Sequence, residues 1–534
     1  MPDSYRRCVV GRRVLDAWIL IVAASVVLAS GCASKPAIDA THPAGRDAGE
    51  CREFLEALER TVSSHGVNDA ETARVDGYPF LRTNRFLASF PPGTLTPEAF
   101  GEWLDRLQGL DLDGRRVEIA NLPRSTREDL ALRFAVGGHE PHVLTARVEH
   151  CEDVLRGKLV DTVDLRAELA TRVTVPDDYL GWQRVVGLYP VTQIPFALGV
   201  SAWQSETRHV FDTPLDALPR TGERLSYVPP ASFTASPATA NHTDSWRANR
   251  LGIPEPAPAA LQELLLAYAP VVVVDAATAD DHIGAIEIRS DARPAVATHA
   301  PVVYTYVSHA RWRGTILLQL NYVFWFPARA SDGAFDLLAG HLDGLTWRLT
   351  LAPDGKVLVA DTIHNCGCYH LFFPSAGLRP VAYGASAEER PFTPQPLPAL
   401  APGERFALYV AARTHYLQRV AATTTVDAPA AYTYRLESYD SLRSLDRGGD
   451  RRSSLFGPDG IVAGTERGER FLFWPMGVPD PGAMRQRGRH ATAFVGRRHF
   501  DDPWLLERSF EPLPDSAIIG VPRPRPERGT PETP

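Results

Sequence analysis

Residues 340–370 read GHLDGLTWRLTLAPDGKVLVADTIHNCGCYH, and the reading of this stretch decides the fold. Leu345, Trp347, Leu349 and Leu351 alternate with Thr346, Arg348 and Thr350, the period-two pattern of a half-buried strand. Pro353-Asp354-Gly355 follows, a turn sequence in which proline presets φ and glycine accepts a left-handed backbone. Val357, Val359 and Ile363 then resume the alternation, so the whole reads as a β-hairpin centred on Asp354. That centre opposes Leu351 to Val357, Leu349 to Val359, Trp347 to Asp361 and Leu345 to Ile363, with the apolar partners on one face. Extending the ladder sets Asp343 opposite Asn365 and His341 opposite Gly367. GHLDG and HNCGCYH are therefore expected to meet at the open end of the hairpin.

Strand signals continue on both sides. APVVVVDA, PVVYTYVSH, TILLQLNYVFWFP and RFALYVAARTHY are rich in β-branched and aromatic residues. Residues 255–513 are expected to form a mainly antiparallel, β-sandwich-like domain with helical additions. Residues 50–228 read as mainly helical. In TPEAFGEWLDRLQGL, Thr96 is placed to cap, Pro97 opens the helix, and Phe100, Trp103, Leu104 and Leu107 form its apolar stripe. The class is α+β, a helical N-terminal domain followed by the sheet-rich one. Residues 229–254 read as a linker and 514–534 as an extended, proline-rich tail. GLYPVTQIPFALGVSAW (Gly187–Trp203) is unusually apolar; burial is the expectation, with a membrane-facing segment as the alternative.

The first residues set the compartment. Arg6, Arg7, Arg12 and Arg13 precede an apolar run from Ala17 to Ala29. Such a run spans roughly 20 Å as a helix, too short for a hydrocarbon layer of about 30 Å, and reads as a targeting segment. Ala29-Ser30-Gly31-Cys32 resembles the bacterial lipobox, with Ala29 where leucine is usual. The resemblance implies cleavage after residue 31, a lipid on Cys32 and a tether over 32–49. Ala33 after that cysteine implies the outer membrane, and Arg6-Arg7 also fits twin-arginine export. Removing residues 1–31 takes four arginines and two aspartates and moves the formal charge from −8 to −10. That excludes nucleic acid as a general partner. Cys51 and Cys151 fall in one domain and are expected to pair, closing a loop of about 100 residues.

HNCGCYH sets His364, Cys366, Cys368 and His370 at alternate positions, with His341 and Asp343 expected nearby. On the hairpin as centred, His341 and Asp343 share the apolar face with Asp361. The HNCGCYH ligands share the other with Thr346 and Arg348, so a bulge or bend is needed to merge them. A straight strand spreads His364 and His370 over about 20 Å, far beyond the ~2.0–2.3 Å bonds of zinc. A bend at Gly367 permits either zinc or another divalent metal, or a Cys366–Cys368 disulfide or exchanging thiol pair. Two structural thiols beside unrelated histidines is the third reading. Arg485, Arg487, Arg489, Arg497 and Arg498 form a candidate anion-binding array; the alternative is internal pairing with Asp501, Asp502 and their neighbours. No GxSxG, HExxH, P-loop or Rossmann signature stands in a suitable context.

Several segments together resemble the vacuolar-sorting-associated β-sandwich family and its necrosis-inducing relatives. They are LLLAYAPVVVVDAATADDHIGAI (Leu264–Ile286), LLQLNYVFWFPAR (Leu317–Arg329) and GHLDGLTWRLTL (Gly340–Leu351), in which His341 and Trp347 match. The resemblance implies a sandwich with a site at the His341 end. Thr346 and Arg348 stand where the necrosis-inducing branch carries its metal-binding carboxylates, so cation-dependent membrane attack is not implied. The functional expectation is a lipid-anchored envelope protein with a binding or structural role. Its partners would be the membrane through Cys32 and an envelope protein or anionic ligand. The alternative is a metal-dependent or thiol-based enzyme centred on GHLDG and HNCGCYH.

Overall fold

The structure, a computed structural model, describes residues 43–230, 247–333, 335–382, 388–424 and 430–514. Cys32, most of the expected linker and nearly all of the tail lie outside these residues. The first part is helical, as expected. Helix α1 (Pro43–Ser64) begins inside the segment read as tether, and α2 (Pro97–Asn121) carries the expected stripe inward. Thr96 Oγ1 accepts from Ala99 N at 3.2 Å, and Phe100, Trp103, Leu104 and Leu107 are buried. Cys51 of α1 is disulfide-bonded to Cys151 of α3 (Pro141–Arg156), with Cα atoms 4.9 Å apart. Among the helices that follow, α4 (Gly181–Val186) and α5 (Tyr189–Asp212) bear on the site.

The second part is built on two sheets. Strands β1 (Glu223–Val228), β2 (Val271–Ala276), β3 (Val302–Trp312), β4 (Thr315–Arg329), β5 (Gly340–Leu351) and β6 (Val357–His364) come first. Then come β7 (Leu371–Pro374), β8 (Arg405–Val410), β9 (Leu417–Thr423), β10 (Ala430–Thr433) and β11 (Arg435–Ser438). A six-stranded sheet runs β7-β6-β5-β4-β3-β11 and a five-stranded one β9-β8-β2-β1-β10. Most pairings are antiparallel; β11–β3, β8–β2 and β10–β1 are parallel. Strand β1 lies within the region read as helical and supplies a central strand of the smaller sheet. Leu320, Tyr322, Phe324, Trp347 and Leu349 of the larger sheet share one apolar core with Val272, Leu408 and Val420 of the smaller. That shared core makes the pair a sandwich.

The larger sheet is covered on its other face too, by the irregular chain from about 439 to 512. Arg348, for instance, donates to Phe500 O at 2.6 Å. Burial on both sides explains why β4 reads LLQLNYVFWFP, apolar at nearly every position rather than at every second one.

Two expectations are corrected here. The hairpin holds Leu351 opposite Val357, but one extra residue, Leu358, then shifts the register. Thr350 faces Val359, Arg348 faces Asp361, Trp347 faces Thr362, and Leu345 faces His364. A one-residue slip turns every later side chain of β6 to the opposite face. His364 thus points into the sandwich with Leu345 and Asp343, while Asp361 joins Arg348 on the outer face. The second correction concerns Gly187–Trp203, expected to be buried. Its helix α5 buries one side only; Val191, Ile194 and Leu198 are exposed, as are Trp182, Val185 and Val186 just before it.

Candidate functional site

The register shift creates a chain of buried charges at the open end of the sandwich. Asp343 Oδ2 accepts from His415 Nδ1 at 2.9 Å, and His415 Nε2 lies 3.3 Å from Asp281 Oδ1. Asp343 Oδ1 lies 3.5 Å from His364 Nδ1 and 3.4 Å from Arg467 Nη2, and accepts from Gly344 N at 2.9 Å. Asp281 is fixed by its own turn, where Ala277 N and Thr278 N donate to Oδ2 at 2.9 and 2.8 Å. Phe326 stacks on the His415 ring at 3.9 Å between centroids.

Burial opposes the charged form of His415, but its bonds to Asp281 and Asp343 outweigh that and raise its pKa. Burial likewise opposes the carboxylates. Arg467 and the two imidazoles nevertheless hold Asp343 well below its usual range, and the His415 bond with backbone donors takes Asp281 down to about 2. His364 has its pKa lowered by burial despite Asp343.

Backbone strain gathers at the same place. Leu342, Tyr369, Arg413 and His415 have φ of 53°, 58°, 62° and 53°, four of the nine left-handed non-glycine residues among those described. Each such residue costs on the order of 1–3 kcal/mol and persists where its surroundings over-determine it. Here Arg467 donates to Leu338 O and Leu342 O at 2.8 and 3.0 Å, and Arg413 N donates to Asp281 Oδ1 at 2.5 Å.

Beyond β6 the chain turns at once. His364 N donates to Cys368 O at 3.0 Å and Gly367 N to His364 O at 2.7 Å, the bend that HNCGCYH requires. Gly367 has φ 93°, and a Cβ there would come within 2.7 Å of Ala491 O, so only glycine fits. Asn365 pins the turn to the sheet by accepting from Thr346 Oγ1 at 2.8 Å and donating to Phe324 O at 3.0 Å. Cys366 and Cys368 are both free thiols. A hydrogen bond from Cys368 lowers the pKa of Cys366 against the effect of burial, with Arg467 adding to it; the same contact and burial raise Cys368.

Both thiols reach a cavity of about 550 Å³. Phe196 and Trp203 of α5, with Phe392, Leu472, Phe473 and Phe494, wall it. Its floor holds Cys366, Cys368, Tyr369, Tyr416 and Glu469, and burial pushes the Glu469 carboxyl up to about 7. His364 lines a neighbouring cavity of about 20 Å³, roughly one water in size, that shares Trp203, Tyr369 and Tyr416 with the large one.

The six residues expected to form one metal or redox site divide among four settings. Asp343 and His364 join the buried charge chain, Cys366 and Cys368 the cavity floor. His370 lines that cavity as well and turns its Nε2 to the outer face, 2.9 Å from Asp361 Oδ2, with burial lowering its pKa to about 3. His341 is exposed and donates from Nε2 to Pro294 O at 2.8 Å. Among the described residues, the only histidine, cysteine and carboxylate groups converging in threes are Asp47, Cys51 and His150, and that cysteine is in the disulfide. A shared zinc centre across GHLDG and HNCGCYH is therefore not assembled.

The arginine array is also dispersed. Arg487 pairs with Glu71 and Asp440 at 2.6 Å each, Arg489 with Asp178 at 3.4 Å, and Arg497 with Asp177. Arg485 donates to Cys366 O at 3.2 Å and to Pro479 O. Internal pairing thus describes them, though Asp501 is taken by Arg85 and Asp502 by Arg508. Only Arg498 of the five lines the cavity, beside Glu389 at 3.6 Å.

Sequence reasoning passed over Asp281, His415, Arg467 and Glu469. Thr278, second in the ATADDH turn and three residues before Asp281, signalled a capped acidic loop, whereas nothing in ARTHY marked His415. The chain matches no family model, no curated protein and no solved structure. Among the described residues, no helix is long and apolar enough to cross a membrane.

Proposed function

We propose that this chain is a ligand-binding protein of the cell envelope that holds an apolar small molecule beneath α5. The observation that carries the reading is the cavity itself. Its volume of about 550 Å³ falls in the range of small-molecule sites, and its lining combines aromatic walls with a few polar groups. Tyr369 and Tyr416 of its lining adjoin the strained turns and the Asp281–His415–Asp343 chain, the placement expected where a fixed shape is maintained at a cost in backbone energy. Exposed apolar residues of α5, Val191, Ile194 and Leu198, lie on the helix that also supplies Phe196 and Trp203, so apolar surface adjoins the cavity wall.

Placement at the outer membrane is part of the same proposal. It is supported by the lipobox-like sequence before Cys32 and by the Cys51–Cys151 disulfide, a bond that chains keep in oxidising compartments. Palmitate labelling of cells making the full chain tests it: wild type should take label and Cys32→Ser should not.

Binding is tested by titrating a saturated fatty-acid series and a set of hydrophobic aromatic acids, following Trp203 fluorescence. Gly199 lines the cavity and a Cβ there meets nothing within 4 Å, so Gly199→Phe should fill the space without disturbing the backbone. Saturable quenching that Gly199→Phe abolishes supports the reading. Equal quenching in both proteins overturns it.

A further inference from the structure

The HNCGCYH turn does more than wall a cavity. It presents two free thiols, Cys366 and Cys368, packed in one cluster and lining one cavity, across a bend that only Gly367 permits. In an extended strand their Cα atoms would lie about 6.6 Å apart with side chains on the same face but no turn to bring the sulfurs together. The bend is held from three directions: His364 bonds its backbone, Asn365 ties it to β4 and β5, and Arg485 N donates to Asn365 O at 2.9 Å. Two buried guanidiniums, Arg467 and Arg485, bring positive charge to the sulfurs, and arginine stays charged under all physiological conditions. A thiolate is the reactive form of cysteine, and a positive setting favours it. Glu469 stands on the same floor, with Arg467 and Cys366 within its field.

We propose that Cys366 and Cys368 are a redox-active dithiol that exchanges with small aromatic or apolar disulfides admitted through the cavity. The thiolate of Cys366 attacks one sulfur of the incoming R–S–S–R; the S–S bond breaks and R–S⁻ leaves, taking up the proton that Cys366 had lost. Cys368 then gives its proton to Glu469 and attacks the Cys366 sulfur of the mixed disulfide. The second R–S⁻ departs and collects that proton. Net, two protein thiols are oxidised to one Cys366–Cys368 disulfide and R–S–S–R is reduced to two R–SH. Closure across a single residue makes a small, strained ring, so the reverse reaction with a dithiol reductant is favoured and the pair is relatively oxidising. The activity goes beyond binding, since it needs only that a disulfide reach the floor.

The test uses the full chain in its native state and dithiodipyridine as the aromatic disulfide. Thiopyridone release is read by absorbance and the product by intact mass. The expected result for wild type is release of two thiopyridones per chain with no retained adduct, the mass falling by two hydrogens. Cys368→Ser should release one and keep one pyridyl adduct on residue 366. Two retained adducts in wild type would show that the sulfurs do not close, and absence of release before denaturant would show that the floor is sealed; either overturns the proposal. Wild type alone decides the matter if the variant does not fold. Gly199→Phe separates this proposal from ligand binding. If it abolishes fatty-acid binding while wild type never shows ring closure, binding stands and the exchange fails. If wild type closes the ring but binds no apolar acid, the reverse holds.

Discussion

Replacing Asp343 with asparagine tests whether the buried charge chain is formed as drawn. In the native protein Asp343 and Asp281 are held as carboxylates and face Arg467 and His415, whose pKa the two aspartates raise. Asparagine keeps the size and removes one negative charge. It leaves a buried cation uncompensated and turns an amide donor toward Arg467 or an imidazole. Breaking a buried network by removing one partner costs about 3–5 kcal/mol, and that is the expected loss for Asp343→Asn in urea at neutral pH. Against a typical total of about 5–15 kcal/mol, the variant should be folded but marginal.

The pH profile gives a second, sharper signature. His415 has its folded pKa raised above its unfolded value, so its contribution is complete below about pH 6.5 and is lost as pH rises through the folded pKa. In Asp343→Asn only Asp281 still holds the imidazole, so the alkaline loss should begin at lower pH. On the acid side, Asp281 is depressed to about 2; its contribution is present above its unfolded value and is lost as pH falls toward 2. Asp343 adds to that acid loss in wild type and cannot in the variant. Urea unfolding followed by tryptophan fluorescence across pH, with imidazole resonances titrated by NMR, measures all three. A loss below about 1 kcal/mol with an unmoved alkaline limb would refute the reasoning, because an intact buried network cannot lose a charge so cheaply.

Three further outcomes are expected. Gly367→Ala should lower stability by about 2–3 kcal/mol through its left-handed backbone and contact with Ala491 O; Gly367→Asn, which tolerates that backbone, should cost nearly as much if the contact dominates, and urea midpoints compare the two. Removing the Cys51–Cys151 bridge by paired serine substitution frees a loop closed over 100 residues and should cost about 4–5 kcal/mol, read as a fall in the thermal midpoint. Glu469, raised to about 7, is protonated in the native state and ionised in the unfolded one between about pH 4.5 and 7, so stability falls as pH rises through that window. Glu469→Gln should abolish that slope, and urea midpoints on either side of the window would show an unchanged slope if the carboxyl is not buried as described.

Much of the architecture followed from local chemistry. Period-two alternation and Pro353-Asp354-Gly355 determined a hairpin, Thr96 and Pro97 determined a helix start, and cysteine placement pointed to Cys51 with Cys151. These are interactions between near neighbours or constraints on single residues, which a sequence displays directly. The register of β6 is of another kind. Val359 and Ile363 alternate with Leu358 and Ala360, so both faces of that strand are apolar, and hydrophobicity alone cannot say which faces the sandwich. Only the tertiary structure, which covers the larger sheet on both sides, decides for the bulge at Leu358 and so brings His364 to Asp343. Likewise Asp281 and His415 stand 134 residues apart and meet Asp343 through loops whose strained turns are imposed by their partners rather than by their own sequence. The arginines of the C-terminal segment carried a legible charge, but which carboxylates they meet was settled by packing against the helical region. The exposed face of α5 has the same origin: an apolar helix reads as buried until the fold leaves one side of it uncovered.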